Sequence, residues 1–276
     1  MPAPQDVSAR RRAFRALHAS GCFVIPNPWD AGSAKYLESL GFQALATTSS
    51  GAAWRHGKAD GAMSVDEVLV HLREIVDATS LPVNADFEAG YAADATGVAR
   101  NVRLAVETGV AGISIEDSTG DPEAPLREIP VAVERIRAAR AAIDETGGDT
   151  LLVGRAENFF AGRPDLDDTL RRLRAYAEAG ADCLYAPGIK TPAQISAVVA
   201  AVAPKPVNLL VGFTTELTLG DIAALGVRRV SVGGALARTA WGGFMRAARM
   251  IAEDGSFDGF AQAAAGSELN GLFGKR

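Results

Sequence analysis

Eight short apolar segments, separated by stretches of helical periodicity, narrow what this chain can fold into more than any other feature. They are Cys22-Phe23-Val24-Ile25, Ala44-Leu45-Ala46-Thr47, Val83-Asn84-Ala85-Asp86, Ile113-Ser114-Ile115, Leu151-Leu152-Val153, Cys183-Leu184-Tyr185, Val207-Asn208-Leu209-Leu210 and Val230-Ser231-Val232. Each is too short for a buried helix and too continuous for a half-exposed strand, the pattern of parallel strands covered on both faces. Between them, Asp66–Ala78, Ala95–Thr108, Ile129–Ile143 and Leu166–Ala179 carry apolar residues at helical spacing. Four helical stretches end on glycine and pass straight into a strand, at Gly41, Gly109, Gly180 and Gly226. Glycine adopts the left-handed conformation that closes a helix. Eight such units with no linker predict a (β/α)8 TIM barrel occupying residues 1–276 as one domain, in preference to an open doubly wound sheet. The G-x-G-x-x-G expected after the first strand of a dinucleotide-binding sheet is absent, since the chain there reads Pro26-Asn27-Pro28-Trp29-Asp30. Beyond the eighth segment, Ala235–Ala252 reads as a long helix and Phe257–Leu272 as another. This C-terminal helical extension (235–276) is of a kind that serves subunit contact.

A content of 48% hydrophobic and 22% charged residues over 276 positions is that of an ordinary soluble protein with one sizeable core. The net charge of −5 argues against a nucleic-acid surface. No apolar run is long enough to span a bilayer, and the start MPAPQDVSARRRAFRALHAS lacks the apolar stretch of a signal peptide. A cytoplasmic protein without a membrane partner is expected. Cys22 and Cys183 are too few for a disulfide framework and are expected to pack the core. His18 and His71 fall on helices and are expected at the surface. His56, Trp29 and Trp54 lie in loops from which they could border a pocket.

In a barrel the active site is assembled from the C-terminal ends of the strands. Here those ends are polar: Thr47-Thr48-Ser49-Ser50-Gly51, Asp86-Phe87-Glu88, Glu116-Asp117 and Arg155-Ala156-Glu157. Read as extended chain, Asp86 and Glu88 share one face, with Glu116 on the neighbouring strand. Converging acids raise one another's pKa unless a cation intervenes. Oxygen donors without paired histidines favour Mg²⁺, with Mn²⁺ as the substitute, over Zn²⁺. Ser50, Gly51 and Ala52 offer hydroxyl and backbone N–H groups as a cradle for an anion. Arg155 suits capture of a carboxylate, or a plain ion pair with Glu157 or Glu116.

These pieces resemble the isocitrate lyase / phosphoenolpyruvate mutase superfamily over nearly the whole chain, from Asn27-Pro28-Trp29-Asp30 to Arg238. The most specific are Ser50-Gly51, Ala85-Asp86-Phe87-Glu88-Ala89-Gly90-Tyr91, Ile115-Glu116-Asp117 and Gly154-Arg155, in the family's order. The resemblance implies a barrel whose eighth helix is exchanged between subunits of a homo-oligomer, dimer or tetramer. It implies Mg²⁺ chelated by a 2-oxo acid or its enolate, with Asp86 as direct ligand and Asp60, Glu88 and Glu116 holding the metal's waters. It further implies Ser50, Gly51 and Ala52 as the cradle, and Arg155 and Arg238 as contacts to the substrate.

The departures bear on the reaction. The lyase branch carries a Cys-bearing motif, and the mutase and hydrolase branches a Lys and an Asn, on the loop after the fourth strand. Here that loop reads Ser118-Thr119-Gly120-Asp121-Pro122-Glu123-Ala124-Pro125-Leu126-Arg127, with none of these. A Glu of the lyase branch after the sixth strand is replaced by Gly188. The expected activity is a Mg²⁺-dependent carbon–carbon lyase on a small di- or tricarboxylate, with Asp60, Glu116 and Arg155 in the catalytic set. Decarboxylation of an oxaloacetate-like acid fits better than isocitrate cleavage. Glu123, Arg127 and His56 are the available substitutes for the missing acid. The alternatives are phosphorus–carbon chemistry on phosphonopyruvate and a non-catalytic 2-oxo acid binder.

Overall fold

Residues 6–274 are described by the computed structural model, so the first five residues and the last two of the extension fall outside it. The strands are β1 (Phe23–Ile25), β2 (Leu45–Ala46), β3 (Val83–Asp86), β4 (Gly112–Glu116), β5 (Leu151–Arg155), β6 (Cys183–Tyr185), β7 (Val207–Leu210) and β8 (Arg229–Ser231). All pair in parallel in the order β1-β8-β7-β6-β5-β4-β3-β2. A bond from Ala46 N–H to Pro26 O, 3.0 Å, links the two ends, giving the nearly closed barrel expected. The helices are α1 (Val7–Leu17), α2 (Ala31–Ser39), α3 (Ser49–Arg55), α4 (Val65–Ala78), α5 (Ala95–Glu107), α6 (Ile129–Glu145), α7 (Leu166–Glu178), α8 (Pro192–Val202), α9 (Leu219–Ala224), α10 (Ala235–Arg249) and α11 (Gly266–Phe273).

Local chemistry explains these boundaries. α4 starts at a capping box, with Glu67 N–H donating to Ser64 Oγ and Ser64 N–H to Glu67 Oε2. It buries Val68, Leu69, Leu72, Ile75 and Val76 against the barrel, each contributing about 1.5–3 kcal/mol. The four helix-closing glycines are left-handed, with φ between +84° and +108°.

Strand register positions the site. Glu116 pairs with Arg155, Arg155 with Tyr185, Tyr185 with Asn208, and Asn208 with Arg229. Paired residues point to the same face, so tilted strands carry this polar row from the barrel mouth down into its interior. All five residues line one cavity of about 540 Å³.

Three expectations are corrected. His18 and His71 are buried. His18 stands edge-on to Phe14 and Phe23 where α1 plugs the barrel bottom, and His71 lies on the inward face of α4. The tail is not one helix: a 3₁₀ turn (Asp258–Gln262) precedes α11, which packs on α2 with Phe273 against Gly32. After Arg249 the long helix widens into a π-helical turn (Met250–Asp254) that ends at the left-handed Gly255. Among the described residues α10 buries only Ala237, and Trp241, Phe244 and Met245 face solvent.

Candidate active site

Asp86 is the best anchored of the strand-end acids. Its backbone N–H donates to Thr47 Oγ1 at 2.9 Å. Ser49 N–H, at the first turn of α3, donates to Asp86 Oδ2 at 2.9 Å, and Arg155 Nη1 approaches Oδ1 at 3.3 Å. Asn27 ties the neighbouring strand ends together, donating to Thr47 O and accepting from the N–H groups of Val232 and Gly233.

Arg155 is the hub. Its Nη1 also lies 3.2 Å from Glu116 Oε2, its Nε donates to Glu157 Oε1, and its guanidinium stacks over the Tyr185 ring at 5.0 Å. Burial works against its charge, but Glu116 and Glu157 hold its pKa well above the ordinary value. The ion-pair reading of Arg155 is thus realised in the free chain, with Asp86 as a further partner.

Glu88 reaches the cavity by another route than the extended chain expected. The strand stops at Asp86, and Gly90 N–H closes a turn onto Phe87 O at 2.8 Å. Glu88 and Tyr91 both stand at positive φ, +42° and +51°, a conformation unusual for side-chain-bearing residues and concentrated at functional sites. Tyr91 Oη donates to Glu88 Oε1 at 2.7 Å. Asp60 lines the same cavity.

The acids outweigh the single guanidinium among them. Burial, joined by repulsion from Asp86 and Glu116, pushes Glu88 up to about 7 against the Tyr91 hydrogen bond. Burial raises Glu157 to about 8 despite Arg155, with Glu116 adding to the shift. Burial likewise raises Glu116 and Asp60, with Asp86 adding to both. Such a wall favours either protons or an added cation. Among the described residues no group of three or more His, Cys, Asp or Glu side chains is arranged to hold a metal ion alone. The donors suit a hard cation that keeps most of its waters and touches one or two carboxylates.

The family model described as phosphoenolpyruvate phosphomutase matches residues 14–252. The chain belongs to this family. A Burkholderia cenocepacia J2315 structure of the lyase/mutase type superposes with a TM-score of 0.94 at 48% identity, covering 98% of each chain. Oxaloacetate decarboxylase of Rhodopseudomonas palustris is 34% identical over 234 residues, 81% of this chain and 77% of that protein. A phosphonopyruvate hydrolase complex with oxalate and Mg²⁺ is 29% identical with a TM-score of 0.85, covering 96% of this chain and 95% of that one.

Within this phosphoenolpyruvate mutase-family barrel, the expected site residues divide. Ser50, Asp60, Asp86, Glu88, Glu116, Arg155 and Arg238 all line the cavity. Arg238 sits at its mouth, stacked 4.5 Å over Phe213 and donating to Gly212 O. Gly51 and Ala52 lie behind the lining. Gly51 N–H turns to Thr48 Oγ1 at 3.4 Å and Ala52 N–H to Thr48 O at 3.0 Å, because Ser49–Arg55 is a capped helix rather than an open turn. Gly51 has a packing reason: a Cβ there would lie 2.7 Å from Thr48 Cγ2 and 2.9 Å from Trp29 Cβ. Trp29 packs beneath α3, whereas Trp54 lines the cavity.

The loop after β4 folds as a small hairpin, with Ser118 bridged to Leu126 and Thr119 N–H bonded to Pro125 O. Only Ser118 and Gly120 of that loop face the cavity, and Ser118 Oγ donates to Glu116 Oε1 at 2.5 Å. Glu123, Arg127 and His56 do not line it, so none is placed to stand in for the missing loop acid. Gly188 is left-handed, φ +92°, and a Cβ there would lie 2.6 Å from Phe159 Cβ, which leaves no room for the Glu of the lyase branch. The sequence reading missed Asn27, Tyr185, Asn208, Arg229, Phe160 and Phe213. The register of the strand segments was the available signal for Tyr185, Asn208 and Arg229.

Proposed function

We propose that this protein is a Mg²⁺-dependent carbon–carbon lyase that decarboxylates, or otherwise cleaves, a small 2-oxo dicarboxylate through an enolate. One observation carries the reading: the acid wall and Arg155 are intact, while the loop after β4 presents only Ser118 and Gly120 to the cavity. Reactions that need a loop thiol or amine lack their donor, whereas decarboxylation beside a 2-oxo group needs chiefly stabilisation of an enolate. A divalent cation held by Asp86, with Asp60, Glu88 and Glu116 on its waters, would supply that charge.

The chain's own residues do the rest. Arg155, already buried and oriented by Glu157 and Tyr185, binds the substrate carboxylate. The Ser50 hydroxyl, 3.0 Å from Thr48 Oγ1, is fixed toward the cavity and offers a hydrogen bond to substrate oxygen. Trp54, Phe160 and Phe213 wall the mouth and limit water. Glu157 accepts from Arg155 Nε and so fixes the angle at which the guanidinium meets the cavity. The loop after β4, rather than the relatives, supports this reading over isocitrate cleavage, since 2-methylisocitrate lyase of Escherichia coli, 33% identical over 181 residues, is as similar as oxaloacetate decarboxylase. The exposed apolar residues of α10 support a homo-oligomer in which that helix packs on a neighbouring subunit.

The test is product analysis with purified protein, Mg²⁺ and, separately, oxaloacetate, methylisocitrate, isocitrate, dimethylmalate and phosphonopyruvate. Pyruvate and CO₂ from oxaloacetate, lost on chelation, are expected. Phosphate or phosphoenolpyruvate from phosphonopyruvate would select the phosphorus–carbon reading, and binding without turnover of any of them a sensor.

A further inference from the structure

Arg229, at the foot of β8, is 3% exposed and has no carboxylate partner among the described residues. The other buried arginines are accounted for. Arg155 and Arg172 pair with acids, while Arg11 and Arg135 donate to backbone carbonyls near helix ends. Arg229 has only neutral side-chain partners. Its Nε donates to Asn208 Oδ1 at 2.7 Å, and its Nη1 lies 3.3 Å from Asn84 Oδ1 and 3.5 Å from His18 Nε2.

His18 is locked in the tautomer that accepts from Arg229. Its Nδ1 lies 2.8 Å from Phe14 O, which can only accept, so the ring proton sits there and Nε2 keeps its lone pair. Burial first, then Arg229 itself, pushes His18 down to about 3, so it carries no charge at neutral pH.

A guanidinium stays protonated in such surroundings, and burying one without an anion costs several kcal/mol. The Arg229 Nη2 group has no hydrogen-bond partner among the described residues, yet it is not sealed off, since Arg229 lines the same cavity as the strand-end acids. Asn84 lies two residues before Asp86 on the same face of β3, one side-chain layer or about 7 Å deeper. We infer that Arg229, held by Asn84, Asn208 and His18 on the cavity floor, is the receptor of a second anion subsite beneath the acid wall. It takes a small anion, a carboxylate group or a halide, that enters through the barrel mouth. Two sources share that chemistry: a free anion, and the far carboxylate of a bound dicarboxylate.

The test compares the wild-type chain with Arg229→Met and Arg229→Gln in thermal melts with chelator present. Ionic strength is held constant while gluconate, too bulky for the floor, is exchanged for formate or chloride. The wild-type Tm is expected to rise by about 5 °C at a hundredfold excess over Kd, and the variants to stay flat. Anion linkage is the readout that separates the two roles: a purely structural Arg229 lowers Tm equally in all three salts and leaves the anion response of the wild type at zero. That result overturns the proposal, as does an equal response in wild type and variants. Should neither variant fold, a bromide-soaked crystal of the wild-type protein decides: anomalous density at Arg229 supports the subsite and its absence overturns it. A second arm assigns the source in the Mg²⁺-loaded protein. Formate that raises the KM or Kd of oxaloacetate but not the Kd of oxalate identifies the substrate's far carboxylate; formate that shifts Tm alone identifies a free anion. The first arm uses neither metal nor turnover, so it stands or falls apart from the lyase reading.

Discussion

Replacing Asp117 by Asn perturbs the frame behind the site rather than the site. Asp117 follows Glu116 directly, but strand alternation turns its side chain away from the cavity, where it is 2% exposed. Its Oδ1 accepts from Glu157 N–H at 2.8 Å, and its Oδ2 from Arg172 Nη1 at 3.1 Å and Tyr176 Oη at 2.6 Å. An asparagine keeps one oxygen, so the bond to Glu157 survives. Its amide group faces the guanidinium donor-to-donor, and the bond to Arg172 is lost. Stranding a buried partner costs about 3–5 kcal/mol, but Arg172 retains Asp168 Oδ2 at 2.6 Å and Arg127 O at 2.7 Å. The loss is therefore that of one or two hydrogen bonds to a charged group, about 3 kcal/mol in all. For a chain of this size that lowers Tm by roughly 5 °C. Calorimetry, with a urea midpoint at unchanged m-value as a second probe, measures it. A drop below about 1 °C would refute the assignment of this triad, as would strict additivity with Arg172→Met, since residues in contact should couple by about 0.5–3 kcal/mol.

Asp86→Asn is expected to weaken Mg²⁺ binding in titration calorimetry and to lower turnover by about a hundredfold or more; wild-type affinity in this variant would remove Asp86 as direct ligand. In metal-free protein, Glu88 binds its proton more tightly folded than unfolded, so stability falls as pH rises from about 4.5 to about 7 and levels off above. The decline attributable to Glu88 is about 1–3 kcal/mol. It should disappear in Glu88→Gln, and a Tm–pH curve identical in that variant would disprove it. Gly112→Ala places a Cβ 2.6 Å from Asn84 Oδ1 and 2.7 Å from Phe14 Cε1, so a loss of about 1–3 kcal/mol in chemical denaturation is expected. Wild-type stability there would mean that α1 does not seal the barrel bottom as described.

Much of the frame was visible in the chain, because parallel strands buried on both faces need uninterrupted apolar runs and their helices need periodic ones. Val83–Asp86, Cys183–Tyr185 and Val207–Leu210 appear with the limits their composition suggested. β8 starts one residue early, at Arg229, because a polar cavity rather than an apolar core fills this part of the barrel, where a charge is tolerated. The acids were legible as strand-end residues, but the backbone reversal at Glu88 was not, since nothing in Phe87-Glu88-Ala89 announces a left-handed residue. The burial of His71 follows from its place among Leu69, Leu72 and Ile75 on α4, a face that outweighed the polarity of one imidazole. The first turn of Ser49–Arg55 looked like an open loop because Ser-Ser-Gly is poor helix sequence. Thr48, as its cap, supplies what the residues lack.

The one thin join in the barrel lies beside these residues. Other neighbouring strands share ladders of two to five paired residues, but among the described residues β1 and β2 meet through the single Ala46–Pro26 backbone bond, with Asn27 stitching across. The cylinder is thus a slit tube, and its slit runs out between Thr47–Ser50, which follow β2, and Pro26–Trp29, which follow β1. The chain leaving β8 covers the mouth of that slit, since a Cβ on Gly234 would meet Ser50 Oγ at 2.7 Å. Amide protons along this meridian should exchange with solvent sooner than those of β4 and β5, which share the longest ladder. The wall that bears Glu116 and Arg155 is then the stiff side of the vessel, and Ser50 rides on the side that breathes.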